Sequence, residues 1–372
     1  MAVSDALFWE RQIASSPTEL TVNRREIPDA LLGQMTRLRK LYFRNLDTII
    51  NLPESMGQLA ALTTLYLDRC QVLTALPDWL GQLRSLRMLT VCSCPVLTGM
   101  PKSLGRLVAL QELCIRQCHA FTGLPESVGQ LSALRTLHLD VAYNLTWLPE
   151  SLGHLAALST LIISYCHALT ELPESLSQLG ALTRLDIILC NALARLPESL
   201  TQLTVLAVLC PALTQLPESL GQSTALVSLR ISGCRTLTVP ESLSQLVALT
   251  TLDLSVCLQL KRLPESLGQL TALTTLDLHW CMRLTRLPES LGQLARLTTL
   301  DLEECRALQF PPASTVQHGI PAIREFLLAH RHLLTVIILI MAARRRRMRR
   351  LPVELWDLIY DDYFVFNCTS GI

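Results

Sequence analysis

LPESLGQLTALTTLDLHWCMRLTR, residues Leu263 to Arg286, contains the plan of the whole chain. Its apolar positions Leu270, Leu273, Leu276, Leu278, Cys281 and Leu284 follow L-x-x-L-x-x-L-x-L-x-x-C-x-x-L. Across Thr275-Leu276-Asp277-Leu278-His279 the alternation has period two. That period puts Leu276 and Leu278 on one side of a short strand and their neighbours on the other. Pro264 has a fixed φ and no N–H, which suits the start of a helical turn. Glu265-Ser266-Leu267-Gly268 continues that turn as a short helix or 3₁₀ segment, with Leu267 and Leu270 pointing inward.

The same unit recurs along the chain. Pro53, Pro77, Pro101, Pro125, Pro149, Pro173 and Pro197 follow one another at steps of 24 residues. Pro217 comes after 20, Pro240 after 23, and Pro264 and Pro288 after 24 each. Pro28 stands 25 before Pro53, and Pro312 is a last anchor. One unit cannot hide its leucines alone, but stacked units bury them as a continuous column. Parallel strands stack about 4.8 Å apart. The unit Leu196–Gln215 lacks four residues, which leaves its strand register ambiguous, and the unit before Pro240 lacks one. Deletions on the outer, turn side are the expected reading, because loops absorb length changes cheaply.

The pattern and its period are those of a leucine-rich repeat. It implies an α/β fold: a right-handed leucine-rich-repeat solenoid with a parallel concave sheet and short helices or 3₁₀ turns on the convex side. About twelve units are expected over residues 28–307, behind an N-terminal cap at 1–27. Leu7, Phe8 and Trp9 are its candidate apolar cover, and Leu20-Thr21-Val22 with Ile27-Pro28 reads as a degraded half repeat. A C-terminal cap helix is expected at 308–330, with Ile323, Phe326 and Leu327 on one face, and a helical tail at 331–372. The run Leu273, Leu276, Leu278, Cys281, Leu284, Leu287, Pro288, Ser290, Leu291, Gly292 resembles the repeats of plant disease-resistance receptors. That resemblance spans about residues 20–330 and implies ligand or effector sensing and regulation. The chain has no G-x-x-x-x-G-K-[ST] loop, so the nucleotide-binding module of those receptors is missing.

Composition narrows the function classes. Of 372 residues, 50% are apolar and only 5% aromatic, so the core is aliphatic. Lys+Arg number 32 and Asp+Glu 31, and this balance gives no reason to expect nucleic acid as a partner. Met1 to Ser16 has no basic stretch leading into an apolar run, so no secretory signal is expected. Thirteen Cys then point to a reducing compartment. The expected location is the cytoplasm, with the nucleus or the membrane periphery as alternatives.

The cysteines look structural. Cys70, Cys94, Cys118, Cys166, Cys190, Cys210, Cys234, Cys257, Cys281 and Cys305 share one repeat position just after the strand, and Ala142 interrupts the column. No C-x-x-C occurs, and the one close pair is Cys92-x-Cys94. A buried thiol ladder bonding weakly to turn backbone is therefore expected in place of zinc or disulfides. The eight histidines look scattered, and H-E-x-x-H, G-x-S-x-G and paired carboxylates do not appear. The repeated Glu of the P-E-S segment, as at Glu150, Glu174 and Glu198, reads as solvated convex surface. No catalysis, cofactor or metal is expected.

The concave face is the candidate site, for binding another protein as a monomer. The outward strand positions near the N-terminus are Lys40, Tyr42, Arg44, Tyr66 and Asp68. In the middle they include Glu112, Arg116, His138, Asp140, Arg184 and Asp186, and towards the C-terminus Asp253, Asp277, His279, Asp301 and Glu303. The last group reads either as a docking stripe for a basic partner or as one Asp copied by repeat duplication. Tyr42 and Tyr66 could anchor a partner, since tyrosine is enriched at hot spots.

The tail offers two further readings. Leu333 to Ala343, LLTVIILIMAA, is apolar and precedes an arginine run at 344–350. Eleven helical residues reach about 16 Å, short of the ~30 Å hydrocarbon layer, so a buried helix is expected. The arginines suit a nuclear-import signal, an anionic membrane or a solvated helix end, which makes membrane association through 333–350 one alternative function. Leu351-Pro352-Val353-Glu354-Leu355-Trp356-Asp357-Leu358-Ile359 resembles the first helix of an F-box, L-P-x-E-L-x-x-x-I. That resemblance implies a ubiquitin-ligase substrate adaptor through 351–367, although the match covers only a fraction of such a module.

Overall fold

Period-two alternation builds the strands, and proline punctuates the turns between them. The computed structural model describes residues 9, 11–12, 14–23 and 29–345. Within them run thirteen strands: β1 Glu19–Asn23, β2 Lys40–Arg44, β3 Thr64–Asp68, β4 Met88–Cys92, β5 Glu112–Arg116, β6 Thr136–Asp140, β7 Thr160–Ser164, β8 Arg184–Ile188, β9 Val205–Leu209, β10 Ser228–Ile231, β11 Thr251–Asp253, β12 Thr275–Asp277 and β13 Thr299–Asp301. All lie in one open curved sheet in chain order, and every adjacent pair is parallel. The thirteenth strand arises because Glu19–Asn23, inside the expected cap, pairs with β2 in full register. A short helix, α1 Asp29–Leu32, follows β1.

The core is one column of leucines. Leu41, Leu65, Leu89, Leu113, Leu137 and Leu161 are fully buried, as are Leu185, Leu206, Leu229, Leu252 and Leu276. At about 25 cal/mol per Å², each buried leucine contributes about 1.5–3 kcal/mol, and only the neighbouring units supply that burial.

Behind the sheet, ten five-residue 3₁₀ turns form the convex side, from Glu54–Gln58 to Glu289–Gln293. The proline stands one place earlier than a first helical residue. Pro77 is the N-cap, with an extended backbone at φ −76° and ψ 159°. Its carbonyl then accepts the N–H of Leu80 at 3.1 Å, the i+3 bond that closes the turn. The Glu of P-E-S also links units: the carboxylates of Glu126 and Glu150 accept the N–H of Ser151 at 3.3 Å and of Ser175 at 3.2 Å. The convex glutamates are therefore exposed but not idle.

Successive turns nest through glycine and serine. A Cβ on Gly153 would lie 2.6 Å from the Cβ and the carbonyl oxygen of Ser175, and one on Gly81 would lie 2.6 Å from the Ser103 oxygen. Only a residue without Cβ permits this approach. The four residues missing from Leu196–Gln215 remove the 3₁₀ turn between β8 and β9. The sheet does not notice: Arg184 still faces Val205, and Leu185 faces Leu206. The deletion falls on the turn side, and the register that was ambiguous in the sequence is fixed by Leu206 and Val208 pointing inward.

A left-handed residue follows most of the strands. Arg69, Ser93, Gln117, Val141, Tyr165, Val256 and Trp280 have φ between 52° and 59°. This rotation aims each N–H at the neighbouring unit: Val141 donates to the Ser164 carbonyl at 2.9 Å and Val256 to that of His279 at 2.8 Å. The next residue carries the thiol column. The Cys281 and Cys305 thiols donate to the carbonyls of Leu254 and Leu278 at 3.2 and 3.1 Å. Burial pushes the thiols of Cys234, Cys281 and Cys305 up to about 11, about 12 and about 11. They are small apolar fillers with a weak donor.

At the C-terminal end, α2 (Ala313–Gln317) leads into α3 (Gly319–Arg345). Ile323 and Leu327 are buried under α3, and Arg324 caps the open carbonyl of Leu294 at 2.8 Å. The boundary expected at residue 330 falls inside this single helix. Over residues 332–338 it is not a buried helix: Leu334 and Ile338 are 37% and 64% exposed. Its His330 Nδ1 pairs with Glu289 at 3.0 Å, and among the described residues no further repeat unit covers it. No helix among the described residues is long and apolar enough to cross a membrane. Leu7, Phe8, Ile27 and Pro28, most of the arginine run and the F-box-like segment lie outside the described residues, while Trp9 is fully buried.

Candidate functional site

The register lines the outward strand positions into columns on the concave face, the side opposite the bulkier turns. Lys40, Tyr42 and Arg44 stand beside Thr64, Tyr66 and Asp68 in β2 and β3. The Tyr42 and Tyr66 rings lie 6.0 Å apart at 47°. Burial raises the Tyr66 phenol above its ordinary pKa, helped by Cys92 and Asp68. Lys40 Nζ reaches the Glu19 carboxylate at 3.3 Å, with both partners half-exposed. This end of the face is aromatic, with Lys40 and Arg44 balanced by Glu19 and Asp68.

The middle differs from expectation. Asp140 and Asp186 do point out of the sheet, yet they are only 9% and 5% exposed. Asp140 accepts Arg116 Nε at 3.4 Å and the Ser164 hydroxyl at 2.5 Å. Asp186 is held by Arg184 Nη2 at 2.7 Å. These carboxylates are drawn into their own rows by flanking cations, so they hold the face together and are not presented to a visitor. His138 stands two residues before Asp140 on β6, its pKa lowered chiefly by burial, with Cys114 Sγ 3.8 Å from Nδ1. Half-buried Ile162, Ile188, Val205 and Leu209 give this stretch an apolar surface.

The C-terminal end is acidic. Asp253, Asp277 and Asp301 are register partners in β11, β12 and β13. Each Oδ1 accepts the N–H two residues on, from Ser255, His279 and Glu303, at 2.9, 3.0 and 2.9 Å. This bond ends the strand after three residues and gives the aspartate column a structural reason. His279 Nδ1 lies 2.8 Å from Asp277 Oδ1, and that hydrogen bond raises the imidazole pKa. Asp277, His279 and Asp301 each place a donor atom within 4.8 Å of the others, close enough to share a cation. The Asp277 and Asp301 Oδ1 atoms are, however, already committed to backbone N–H groups.

One arrangement escaped the sequence reading. His119, Tyr143 and His167 occur 24 residues apart, one place after the thiol column. Their rings stack, with centroids 5.0 and 5.2 Å apart and planes within 8° and 7°. The signal was the shared repeat position, hidden because one member is a tyrosine.

Comparison with known proteins agrees with this architecture. A model of the leucine-rich repeat region matches residues 23–145. No curated protein matches the sequence. Among solved structures, a chain of the Toll–Spatzle complex of Drosophila is 23% identical, with 74% of this chain and 37% of that one covered and a TM-score of 0.55. The functional domain of InlJ from Listeria monocytogenes, which includes a cysteine ladder, is 22% identical over 79% of this chain and 64% of that one, with a TM-score of 0.51. A leucine-rich-repeat protein of Leptospira interrogans is 23% identical over 82% and 88%, with a TM-score of 0.45. At these identities the likeness concerns the fold alone. With the match over 23–145 and thirteen stacked parallel strands, the chain folds as a leucine-rich-repeat solenoid.

Proposed function

We propose that this chain is a non-catalytic recognition module that binds another protein across its concave face, in intracellular signalling or defence-like sensing. The supporting observation is the zoning of that face along one unbroken register. An aromatic end of balanced charge passes through an apolar middle to an acidic end. Thirteen rows at about 4.8 Å, nine of them five-residue strands about 13 Å long and the rest three or four residues, give roughly 700 Å². That is close to the ~800 Å² per partner of a standard protein interface. The defence-like setting rests on the resemblance to plant resistance receptors. The adaptor and membrane alternatives rest on 351–367 and 333–350, segments wholly or partly beyond the described residues.

The test compares proteins captured by the wild-type chain with those captured by Tyr42→Ala/Tyr66→Ala and by Glu303→Lys, with the convex variant Gln222→Lys as control. A genuine partner is recovered by wild type and control and lost from at least one concave variant. Its purified form then binds that variant at least tenfold more weakly. Recovery unchanged by every concave variant would sink the proposal. If a chain ending at residue 345 lost ligase subunits or vesicle pelleting instead, one of the tail alternatives would replace it.

A further inference from the structure

The two ends of the sheet are finished differently. At the C-terminal end α3 lies over the last 3₁₀ turn, with its Ile323 and Leu327 buried. At the N-terminal end Trp9 fills the core, but the hydrogen-bonding edge of β1 stands open. The Thr18 carbonyl accepts the N–H of Lys40 at 3.0 Å. By alternation the backbone groups of Leu20 and Val22 also face β2, and those of Glu19, Thr21 and Asn23 face away from it. Among the described residues nothing bonds these outward N–H and C=O groups.

An open edge is a template for another strand, and proteins that stay alone blunt it with lysine, proline, a bulge or a very short strand. β1, ELTVN, carries none of these devices. It pairs with β2 over all five residues, and its single charge, Glu19, is already taken by Lys40 at 3.3 Å. Leu20 and Val22 are buried, while Glu19, Thr21 and Asn23 are exposed. A strand can therefore be added without rearranging the core.

The sequence of β1 favours its own copy as that strand. Turned about a two-fold axis perpendicular to the sheet, β1 meets itself antiparallel, with Thr21 opposite Thr21, Glu19 opposite Asn23 and Leu20 opposite Val22. The three outward residues then all fall in hydrogen-bonded pairs, each exchanging two N–H···O bonds. Leu20 and Val22 meet their mates on the core side, so the alternation of faces continues across the join. Threonine facing threonine is a favourable cross-strand pair. Asn45 Nδ2 donates to Asn23 Oδ1 at 2.9 Å, which leaves the Asn23 N–H₂ free to donate to the Glu19 carboxylate of the other copy. Lys40 stands behind Glu19 and Arg44 behind Asn23, so like charges never face one another. Sliding the copies by two residues leaves one outward residue of each strand without a mate.

We infer that the outer edge of β1 pairs antiparallel with β1 of a second copy of this chain, on a two-fold axis between the two Thr21 residues. The two concave faces then run into one another, with Tyr42 and Tyr66 near the axis and the aspartate columns at both far ends. The pairing departs from the monomer expected from the sequence and is independent of the partner proposed for the concave face.

Sedimentation of the full chain over a range of concentrations tests it. Paired five-residue edges make a small interface, so a monomer–dimer equilibrium at about 10–100 µM is expected. Thr21→Lys sets two cations face to face on the axis and should weaken the dimer at least tenfold. Thr21→Pro removes an outward N–H, which an edge strand tolerates, and should do the same. If circular dichroism shows that Thr21→Pro disturbs the fold, Thr21→Lys decides, because Thr21 bonds nothing in β2 and its side chain is exposed. Thr299→Lys, on exposed β13 at the other end, should leave the dimer unchanged. Hydrogen exchange read residue by residue should find the amides of Glu19, Thr21 and Asn23 protected only at high concentration, and those of Leu20 and Val22 protected throughout. A chain still monomeric at about 300 µM, far above the range expected for an interface of this size, would overturn the inference. So would a dimer as tight in Thr21→Lys as in wild type, or association that runs past the dimer and is lost in Thr299→Lys.

Discussion

Replacing glycine by alanine at two places in this chain should move stability in opposite directions. At Gly153 the new methyl would stand 2.6 Å from the Cβ and carbonyl oxygen of Ser175, about 1 Å inside normal contact. The two turns must part. Ser244 shows that they can: it fills the same slot beside the Ser266 turn, and its hydroxyl folds back to the Glu241 carbonyl at 2.9 Å. The cost is thus that of separating neighbours, which forfeits a quarter to a half of the dispersion between them. With overpacking at about 1–3 kcal/mol, Gly153→Ala should lose about 2 kcal/mol. At Gly180 nothing lies within 4 Å of the new methyl, and its φ is not in the left-handed range. There the smaller entropy of the unfolded chain should make Gly180→Ala more stable by about 0.4–1 kcal/mol. Urea unfolding followed by circular dichroism reads the totals. With a slope near 2 kcal/mol/M, Gly153→Ala should drop the midpoint by about 1 M. Hydrogen exchange should place the loss in the units around 149–185, because repeat stability is a nearest-neighbour sum. Midpoints that agree for wild type and Gly153→Ala, or that fall equally for both variants, would refute the nesting argument.

Two histidines should titrate on opposite sides of the ordinary value. His138, lowered chiefly by burial, should titrate below about 6.5 and oppose folding as pH falls through that value. His279, raised by its bond to Asp277, should titrate above it, and its contribution, full below about 6.5, should fade as pH rises through the folded pKa; imidazole NMR titration measures both. In a Cys368→Ser background, native alkylation should modify half-buried Cys92 first, while Cys234, Cys281 and Cys305 react only after urea; fast native labelling of any of those three would contradict the ladder. Arg184→Ala should cost about 1–2 kcal/mol, since it strands the buried Asp186 carboxylate while the arginine itself is half-exposed. Adding Asp186→Ala should recover part of that loss in a double-mutant cycle, and additive effects would count against the pair.

Much of the fold was legible because its driving pattern is strictly periodic. Leu276 and Leu278 announce a strand by spacing alone, and the repeat supplies the partner that hides them. The thiol column was equally visible by position. The left-handed column was not, because Val141, Tyr165, Leu189 and Trp280 carry none of the usual turn chemistry, unlike Asn45 and Gly233. Their conformation comes from the neighbouring unit, whose carbonyl each N–H must reach. The burial of Asp140 and Asp186 was hidden for a similar reason. Period two says which side of the sheet a residue faces, but not whether Arg116 or Arg184 will fold over it. The end of the cap helix was also unreadable, since no proline or glycine marks a stop at residue 330 and the apolar run continues the helix.

The shortened unit at Leu196–Gln215 shows why the concave face can serve as one surface. The four missing residues come out of the convex side, where a 3₁₀ turn vanishes. Had they come from the strand, an even loss would have left alternation intact but shortened the pairing with β8 and β10. An odd loss there would have turned Leu206 and Val208 to solvent. Instead all five residues of β9 pair with β8, and Val205 and Leu209 continue the apolar zone begun by Ile162 and Ile188. Turn length and face composition are therefore separable in this architecture. The turn side can gain or lose residues at the cost of local curvature, while the columns that meet a partner stay in step.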